Sequence, residues 1–162
     1  MSYEFQQLYK RVCQSKIRTA EFLSELRGIV SPEQELSEAI QEQEELKNWD
    51  TVQMLILGIQ YFPSKIFTPI LCSFLNDPQP EINLEDIVDV AFDIKDECLI
   101  EILSAKIYYE LPGDDFHHFN RKCLQAIANI GGERAKKVIE NAVVSSFEEI
   151  RNEALRLISK VS

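Results

Sequence analysis

The chain has 162 residues, of which 45% are hydrophobic, and its 27 acidic and 17 basic residues give a net charge of −10. This length predicts a single domain over 1–162 that buries about 70% of the surface of its unfolded chain. An acidic surface repels phosphate, which argues against binding to nucleic acid or to an anionic membrane. It favours a basic protein as partner, although acidity that only keeps a protein soluble predicts the same composition.

Residues 1–48 predict an N-terminal helical cap, made of segments that lack the repeat described below. Apolar spacing indicates a helix over 3–13 and then a second one that ends near Gly28, with four side chains inward: Ile17, Ala20, Leu23 and Leu26. Ser31 is predicted to cap a glutamate-rich helix over 32–47, whose thin apolar face includes Leu46. Stacked repeats need such a cap to cover their first unit.

Residues 49–162 predict about four helix-pair repeats, each with two apolar faces at helical spacing around a short turn. The units start near Thr51, Asn83, Phe119 and Ile150. Successive starts are therefore roughly 31–36 residues apart, and a recurrent period of this size is typical of stacked two-helix repeats. An irregular helical bundle remains the alternative.

The clearest unit spans 119–144, where Gly131 and Gly132 separate two helical segments. Glycine takes the left-handed conformation that ends a helix at no steric cost. Four side chains are predicted to be nearly buried: Ile127, Ile130, Ala135 and Ile139.

Residues 126–135, Ala-Ile-Ala-Asn-Ile-Gly-Gly-Glu-Arg-Ala, resemble the Ala-Leu-Gly-x-Ile-Gly-Asp-Glu-x-Ala core of the short HEAT-like repeat, the kind also found in phycobilin lyases. Ile150-Arg151 is similar to the Val-Arg opening of that family, and Pro69 lies where many such repeats carry proline. Asn120 and Pro63 depart from the expected arginine and glycine. The resemblance implies an all-α fold of at least eight helices, in which antiparallel helix pairs stack in a right-handed array.

Carboxylates are dense in the second unit, and only Lys95 offsets them within residues 81–101. Glu85, Asp89 and Asp93 recur every four residues and so share one helix face. Each pair of like charges on such a face lowers helix stability by a few tenths of a kcal/mol. We therefore predict that a basic partner docks on six acids: Glu85, Asp86, Asp89, Asp93, Asp96 and Glu97. A solvated helix face is the alternative.

The longest insertion between units, residues 108–118, accounts for the longest of the three steps. Insertions in repeat proteins map to one edge, which is often the binding edge. Tyr108 and Tyr109 are predicted aromatic anchors, and Asp114 and Asp115 are predicted to extend the acidic surface, with one of the two capping the next helix.

Nothing in the sequence indicates catalysis, a cofactor or a metal site. The adjacent His117 and His118 face different ways on a helix, and no set of about four converging zinc ligands is apparent. The four cysteines are far apart and predict free, buried thiols in a reducing compartment. The first residues lack the pattern of a signal peptide, and no apolar run is long enough to span a bilayer, so we predict a cytoplasmic protein that does not cross a membrane.

Three readings of the function remain. By type, size and charge the chain is similar to bacterial immunity proteins, which neutralise cationic nuclease toxins of contact-dependent inhibition and related systems. That resemblance implies an antitoxin that covers the toxin's active or substrate-binding surface. The alternatives are a generic HEAT-like adaptor, or an accessory protein of the lyase kind that binds a small ligand in a concave groove.

Overall fold

The computed structural model describes residues 1–161, which form ten α-helices and no strand. The helices are α1 Tyr3–Cys13, α2 Thr19–Leu26, α3 Glu33–Glu45, α4 Trp49–Ile59, α5 Thr68–Asn76, α6 Leu84–Ile94, α7 Leu99–Lys106, α8 His118–Ile130, α9 Gly132–Ala142 and α10 Glu148–Leu157. Short 3-10 helices at Lys65–Phe67 and Ile158–Lys160 precede α5 and follow α10. The predicted all-α class is confirmed.

Side chains that cap the free amides mark several helix starts. The Ser2 hydroxyl accepts a hydrogen bond from the amide of Phe5 in α1, and the Asn83 side chain accepts one from the amide of Glu85 in α6. The predicted cap at Ser31 is wrong. Ser31 has a φ of 52° and α3 begins after Pro32 without a side-chain cap, because a capping residue needs the extended backbone that Ser31 does not adopt.

The Gly131–Gly132 turn is formed as the sequence predicts. Helix α8 ends at Ile130 and α9 begins at Gly132, and the two glycines have φ angles of 78° and 82°. Residues with a Cβ atom rarely adopt these backbone angles, so the turn favours glycine at both positions.

Helices two places apart in the chain pack against each other. One row of contacts runs α2–α4–α6–α8–α10, and a second runs α5–α7–α9, with α3 touching the 3-10 helix that precedes α5. The rows meet where consecutive helices pack, in the pairs α3–α4, α5–α6, α7–α8, α8–α9 and α9–α10. A single hydrophobic core extends from α1 to Val161.

Helix α4 approaches α2 closely at Gly58. A Cβ atom at Gly58 would lie 2.7 Å from Cδ2 of Leu26 and 3.4 Å from the ring of Phe22, so a larger residue there would have to displace the Leu26 side chain. Phe22 and Leu26 are fully buried, whereas the predicted core residue Ala20 is exposed. The inward face of α2 is therefore rotated from the one that we predicted.

The core of the clearest unit is largely as predicted. Ile127, Ala135 and Ile139 have no exposed surface. Ile130 is only half-buried, because it is the last residue of α8 and lies beside the glycine turn. Leu46, beyond the end of α3, is 66% exposed and so does not belong to the apolar face of that helix.

The prediction of buried thiols holds for one cysteine. Cys123 lies in the middle of α8 and is fully buried, whereas Cys72 is half-buried. Cys13 and Cys98 are exposed because they lie at the ends of helices α1 and α7, where apolar spacing no longer implies a covered face.

Candidate protein-binding surface

The predicted acidic residues on and after α6 fall into different environments. Glu85 and Asp89 both contact Lys122 of α8, whose Nζ lies 3.1 Å from Oε2 of Glu85 and 2.7 Å from Oδ2 of Asp89. The charge count over 81–101 missed this lysine because α8 packs beside α6 only in the folded protein. Burial opposes the charge of Lys122, but the two carboxylates outweigh it and raise the pKa of the lysine. Two of the three carboxylates that share one face of α6 are thus ion-paired within the molecule.

Asp86 links α6 to α4. Its Oδ2 accepts a hydrogen bond of 2.7 Å from Nε2 of Gln53, while Oε1 of Gln53 accepts a bond of 2.9 Å from the amide of Asn83. Partial burial, together with the nearby charge of Asp89, raises the pKa of Asp86. This carboxylate is consequently a contact between helices with little surface left for a partner.

Asp96 is buried and joins the start of α5 to the start of α7 through its hydrogen bonds. It is 8% exposed, accepts a hydrogen bond of 2.8 Å from the Thr68 hydroxyl, and accepts a second of 3.2 Å from the backbone amide of Cys98 at the start of α7. Burial opposes ionisation, but these bonds and the nearby Lys65 ammonium outweigh it and lower the pKa of Asp96. By contrast, Asp93 and Glu97 are exposed.

Asp114 caps α8, as predicted for one of the two loop aspartates. Its carboxylate oxygens accept hydrogen bonds of 2.8 Å from the backbone amides of His118 and Phe119. The neighbouring Asp115 is exposed. Asp115 is thus the more exposed of the two.

The two predicted anchor tyrosines have different surroundings. Tyr109 is half-buried, with its ring edge-on to Phe119 at 6.1 Å and the Lys106 ammonium 4.3 Å from the ring centre. Tyr108 is 51% exposed, and its ring centre lies 6.3 Å from that of Phe147 at the start of α10. Tyr108 is therefore the more accessible of the two tyrosines.

Tyr108 is one of five aromatic side chains in and beside this loop, which we call the aromatic cluster: Tyr108, Phe116, His117, His118 and Phe147. Their ring contacts form two sets: Phe147 contacts Tyr108 and also His117, at 5.1 Å between ring centres, and Phe116 contacts His118 at 6.2 Å. The cluster joins the 107–118 loop to the start of α10, and one cation adjoins it, with Nη2 of Arg121 2.6 Å from Nδ1 of His118. Its members come from two loops distant in sequence, so apolar spacing along one helix could not reveal them.

Asn120 holds the loop that carries the cluster. This side chain is 1% exposed, and its Nδ2 donates hydrogen bonds of 3.0 Å to the carbonyl of Lys106 and 2.8 Å to that of Tyr109. Its Oδ1 accepts from Nδ1 of His117 at 3.0 Å, so the ring is protonated on Nδ1. The residue that departs from the repeat pattern thus ties the end of α7 to α8.

Four exposed acids are close neighbours of the cluster residues in the sequence. Glu110 and Asp115 lie in the same loop, and Glu148 and Glu149 follow Phe147. Within residues 1–161 none of these four carboxylates is within ion-pair distance of a base. The cluster therefore has an acidic surround.

The described residues form no group of histidine, cysteine and acidic side chains that could hold a metal ion. The one buried thiol, Cys123, has a pKa raised by burial, which disfavours the reactive thiolate. Within residues 1–161 no helix has both the length and the apolar character needed to cross a bilayer.

No protein-family model, curated protein or solved structure matches this chain.

Proposed function

We propose that this chain is a protein-binding module that holds a basic partner on the aromatic cluster and the carboxylates around it. The observation that carries the proposal is the exposure of large aromatic side chains on two turns: Tyr108 and Phe147, which contact each other, are 51% and 40% exposed, and Phe116 in the Tyr108 loop is 67% exposed. Exposed apolar groups gathered on adjoining loops mark interaction sites, and aromatic side chains are enriched among the residues that dominate binding energy.

Charge selects the class of partner. The net charge is −10, and the nearest exposed ionisable groups along the chain are the acids Glu110, Asp115, Glu148 and Glu149. An acidic surround accelerates encounter with a basic protein and repels an acidic one.

For the architecture, we propose a right-handed HEAT-like solenoid. Its support is the agreement between the recurrent period in the sequence and the polar contacts that join successive helices of the longer row. Gln53 contacts Asp86, Asp89 contacts Lys122, and Gln125 contacts Glu153, at separations of 33, 33 and 28 residues. An experimental structure that gave a left-handed superhelix would contradict the assigned hand.

For the biological role, we propose a cytoplasmic immunity protein that neutralises a basic nuclease toxin. Support comes from the small size, the strong acidity and the acidic aromatic surface. A toxin of this kind binds nucleic-acid phosphate with basic residues, and an acidic surface docked on those residues excludes the substrate. The residues that we expect to act in binding are the aromatic cluster and the exposed acids, including Asp93 and Glu97.

The test begins with affinity capture from the source organism, followed by kinetics with the purified partner. We expect a basic partner whose nuclease activity stops at one equivalent of this protein. Tyr108→Ala and Phe147→Ala should each weaken binding about tenfold or more, mainly through faster dissociation. The matched control is Leu155→Ala, which removes a side chain that is 52% exposed on α10.

Charge reversal supplies an independent arm. Asp93→Lys with Asp115→Lys should slow association about tenfold, since rim charges steer encounter. Raising salt from about 50 to 500 mM should do the same to the wild type, because the screening length falls from about 14 to about 4 Å. A partner that is acidic, or that binds all the variants equally fast and tightly, overturns the proposal.

One observation favours the alternative of a small-ligand protein. A groove of about 520 Å³ lies against α6, α8 and α10, with Phe92, Gln125 and Arg156 among its lining residues. That volume is in the range of ligand sites. If this alternative is correct, the protein purified from its source carries a small molecule that native mass spectrometry detects, and Phe92→Ala releases it.

A further inference from the structure

A second concave site is lined by residues of the loop that follows α7. It is a groove of about 440 Å³ between that loop and the loop that connects α5 to α6, and we call it the inter-loop groove. The side chains that make its apolar walls are Pro78, Pro80, Leu84, Tyr109, Leu111 and Pro112. Its volume falls in the range of pockets that enclose small ligands.

The walls of the inter-loop groove are held in place by the fold. Leu84 is 4% exposed at the start of α6, and Asn83 beside it is tied to Gln53 of α4 by a hydrogen bond of 2.9 Å. The opposite wall is fixed through Tyr109, whose carbonyl accepts from the buried Asn120 and whose ring packs on Phe119. A groove formed before binding costs little ordering entropy when a ligand enters.

The charge around the groove is of one sign. The two loops, 77–83 and 107–117, contain no lysine or arginine, and three exposed acids adjoin the lining residues in sequence, which we call the rim carboxylates: Asp77, Glu81 and Glu110. The ammonium of Lys106 lies over the Tyr109 ring, but Lys106 is only 9% exposed. The walls of the groove are thus mainly apolar, and the charged residues that adjoin them in the two loops are acidic.

We propose that the inter-loop groove binds a short segment of the basic partner in which large apolar side chains are flanked by lysine or arginine. The apolar side chains fill the groove and the flanking cations meet the rim carboxylates. The identification of the segment as part of a partner rests on the proposed function, whereas the chemistry of the groove does not.

The probe for this site is an N-acetylated, C-amidated hexapeptide with Leu-Phe at its centre and two basic residues on each side. It is titrated into the ¹⁵N-labelled full chain while backbone amide shifts are recorded. We expect saturable shifts confined to residues 79, 81–84 and 109–111. A peptide with Ser-Ser at its centre should bind at least tenfold more weakly, and so should one with acidic flanks.

Two variants test the assignment. Leu111→Lys places a cation in one wall, and Gln79→Trp fills the groove from the other side; each should weaken the Leu-Phe peptide at least tenfold. The control Leu155→Lys makes the same change at an exposed leucine on α10 and should leave the affinity within twofold. The unperturbed remainder of each spectrum shows whether a variant is folded.

The inference is overturned if the Ser-Ser peptide binds as well as the Leu-Phe peptide, or if the shifts lie along α6 or on the aromatic cluster. These results leave the proposed function standing, because Phe147→Ala tests that with the whole partner. If instead no basic partner binds the protein while the peptide still occupies the groove, the proposed function fails and the groove remains a peptide site.

Discussion

Replacing Asn120 with alanine is expected to lower the free energy of unfolding by about 2–3 kcal/mol, the sum of the hydrogen bonds that the substitution removes. The buried amide makes two hydrogen bonds to loop carbonyls and accepts one from His117, and each such bond contributes about 0.5–1.5 kcal/mol net. The Lys106 carbonyl keeps one partner in the variant, the amide of Tyr109 at 3.1 Å, which is why the sum is set below the upper limit.

Asn120→Asp is a sharper perturbation because it preserves the shape and removes the donor. Both carboxylate oxygens then lack protons to offer to the carbonyls of Lys106 and Tyr109, and burial and repulsion raise the pKa of the new carboxyl. A raised pKa means that the penalty is absent below the unfolded pKa of about 4 and grows as pH rises above it. We therefore expect Asn120→Asp to be less stable than Asn120→Ala at pH 7, with the difference shrinking toward pH 4.

Urea unfolding monitored by circular dichroism measures both variants against the wild type at each pH, so that other titrating groups cancel. Both changes should also weaken partner binding, because the loop that carries Tyr108 loses its attachment to α8. If Asn120→Ala costs less than about 0.5 kcal/mol, the lower limit for a single hydrogen bond, the amide does not hold the loop as described. Equal stability of the two variants at pH 7 would lead to the same conclusion.

Two further predictions concern the core and the carboxylates. Ile127→Ala should cost about 2–5 kcal/mol in urea unfolding, because this side chain is fully buried, whereas Leu155→Ala, at a half-exposed position, should cost less than about 0.5 kcal/mol. Equal costs would mean that the inward face of α8 is misassigned. Asp86→Asn should stabilise the protein at pH 7 and not at pH 3, because a raised pKa marks a charge that opposes folding, and the amide oxygen can still accept from Gln53. Asp96→Asn should have the opposite sign at pH 7, with a loss of about 1–3 kcal/mol, because the lowered pKa of Asp96 marks stabilisation that is lost as pH falls through it. If both substitutions shift stability in the same direction at pH 7, the pKa assignments are incorrect.

Much of the helical structure was predictable because apolar spacing and turn residues act locally. The predicted helix over 3–13 corresponds to α1, and the glycines at 131 and 132 form the turn between α8 and α9. Errors arose at helix ends, as with Leu46 and Ile130, where the covered face depends on which neighbour continues past the last turn.

The binding surface was predictable only in part. The sequence pointed to the 108–118 insertion and to Tyr108, which does lie exposed beside other rings. It did not distinguish Tyr108 from Tyr109, since adjacent residues in a loop carry no periodic signal for which of them faces the core. Phe147 was missed because it reaches the cluster from a different turn.

By itself, the sequence determined the helical class, the positions of the main turns and the strong negative charge, because each depends on composition or on neighbours within one helical turn. Only the tertiary structure decided which acids are available. Asp96 became a buried cap and Asp89 an ion pair with Lys122, while Asp93 stayed exposed. The reason is that the partners of these carboxylates lie far away in the sequence, on other helices, and their distance is set by how the rows of helices pack.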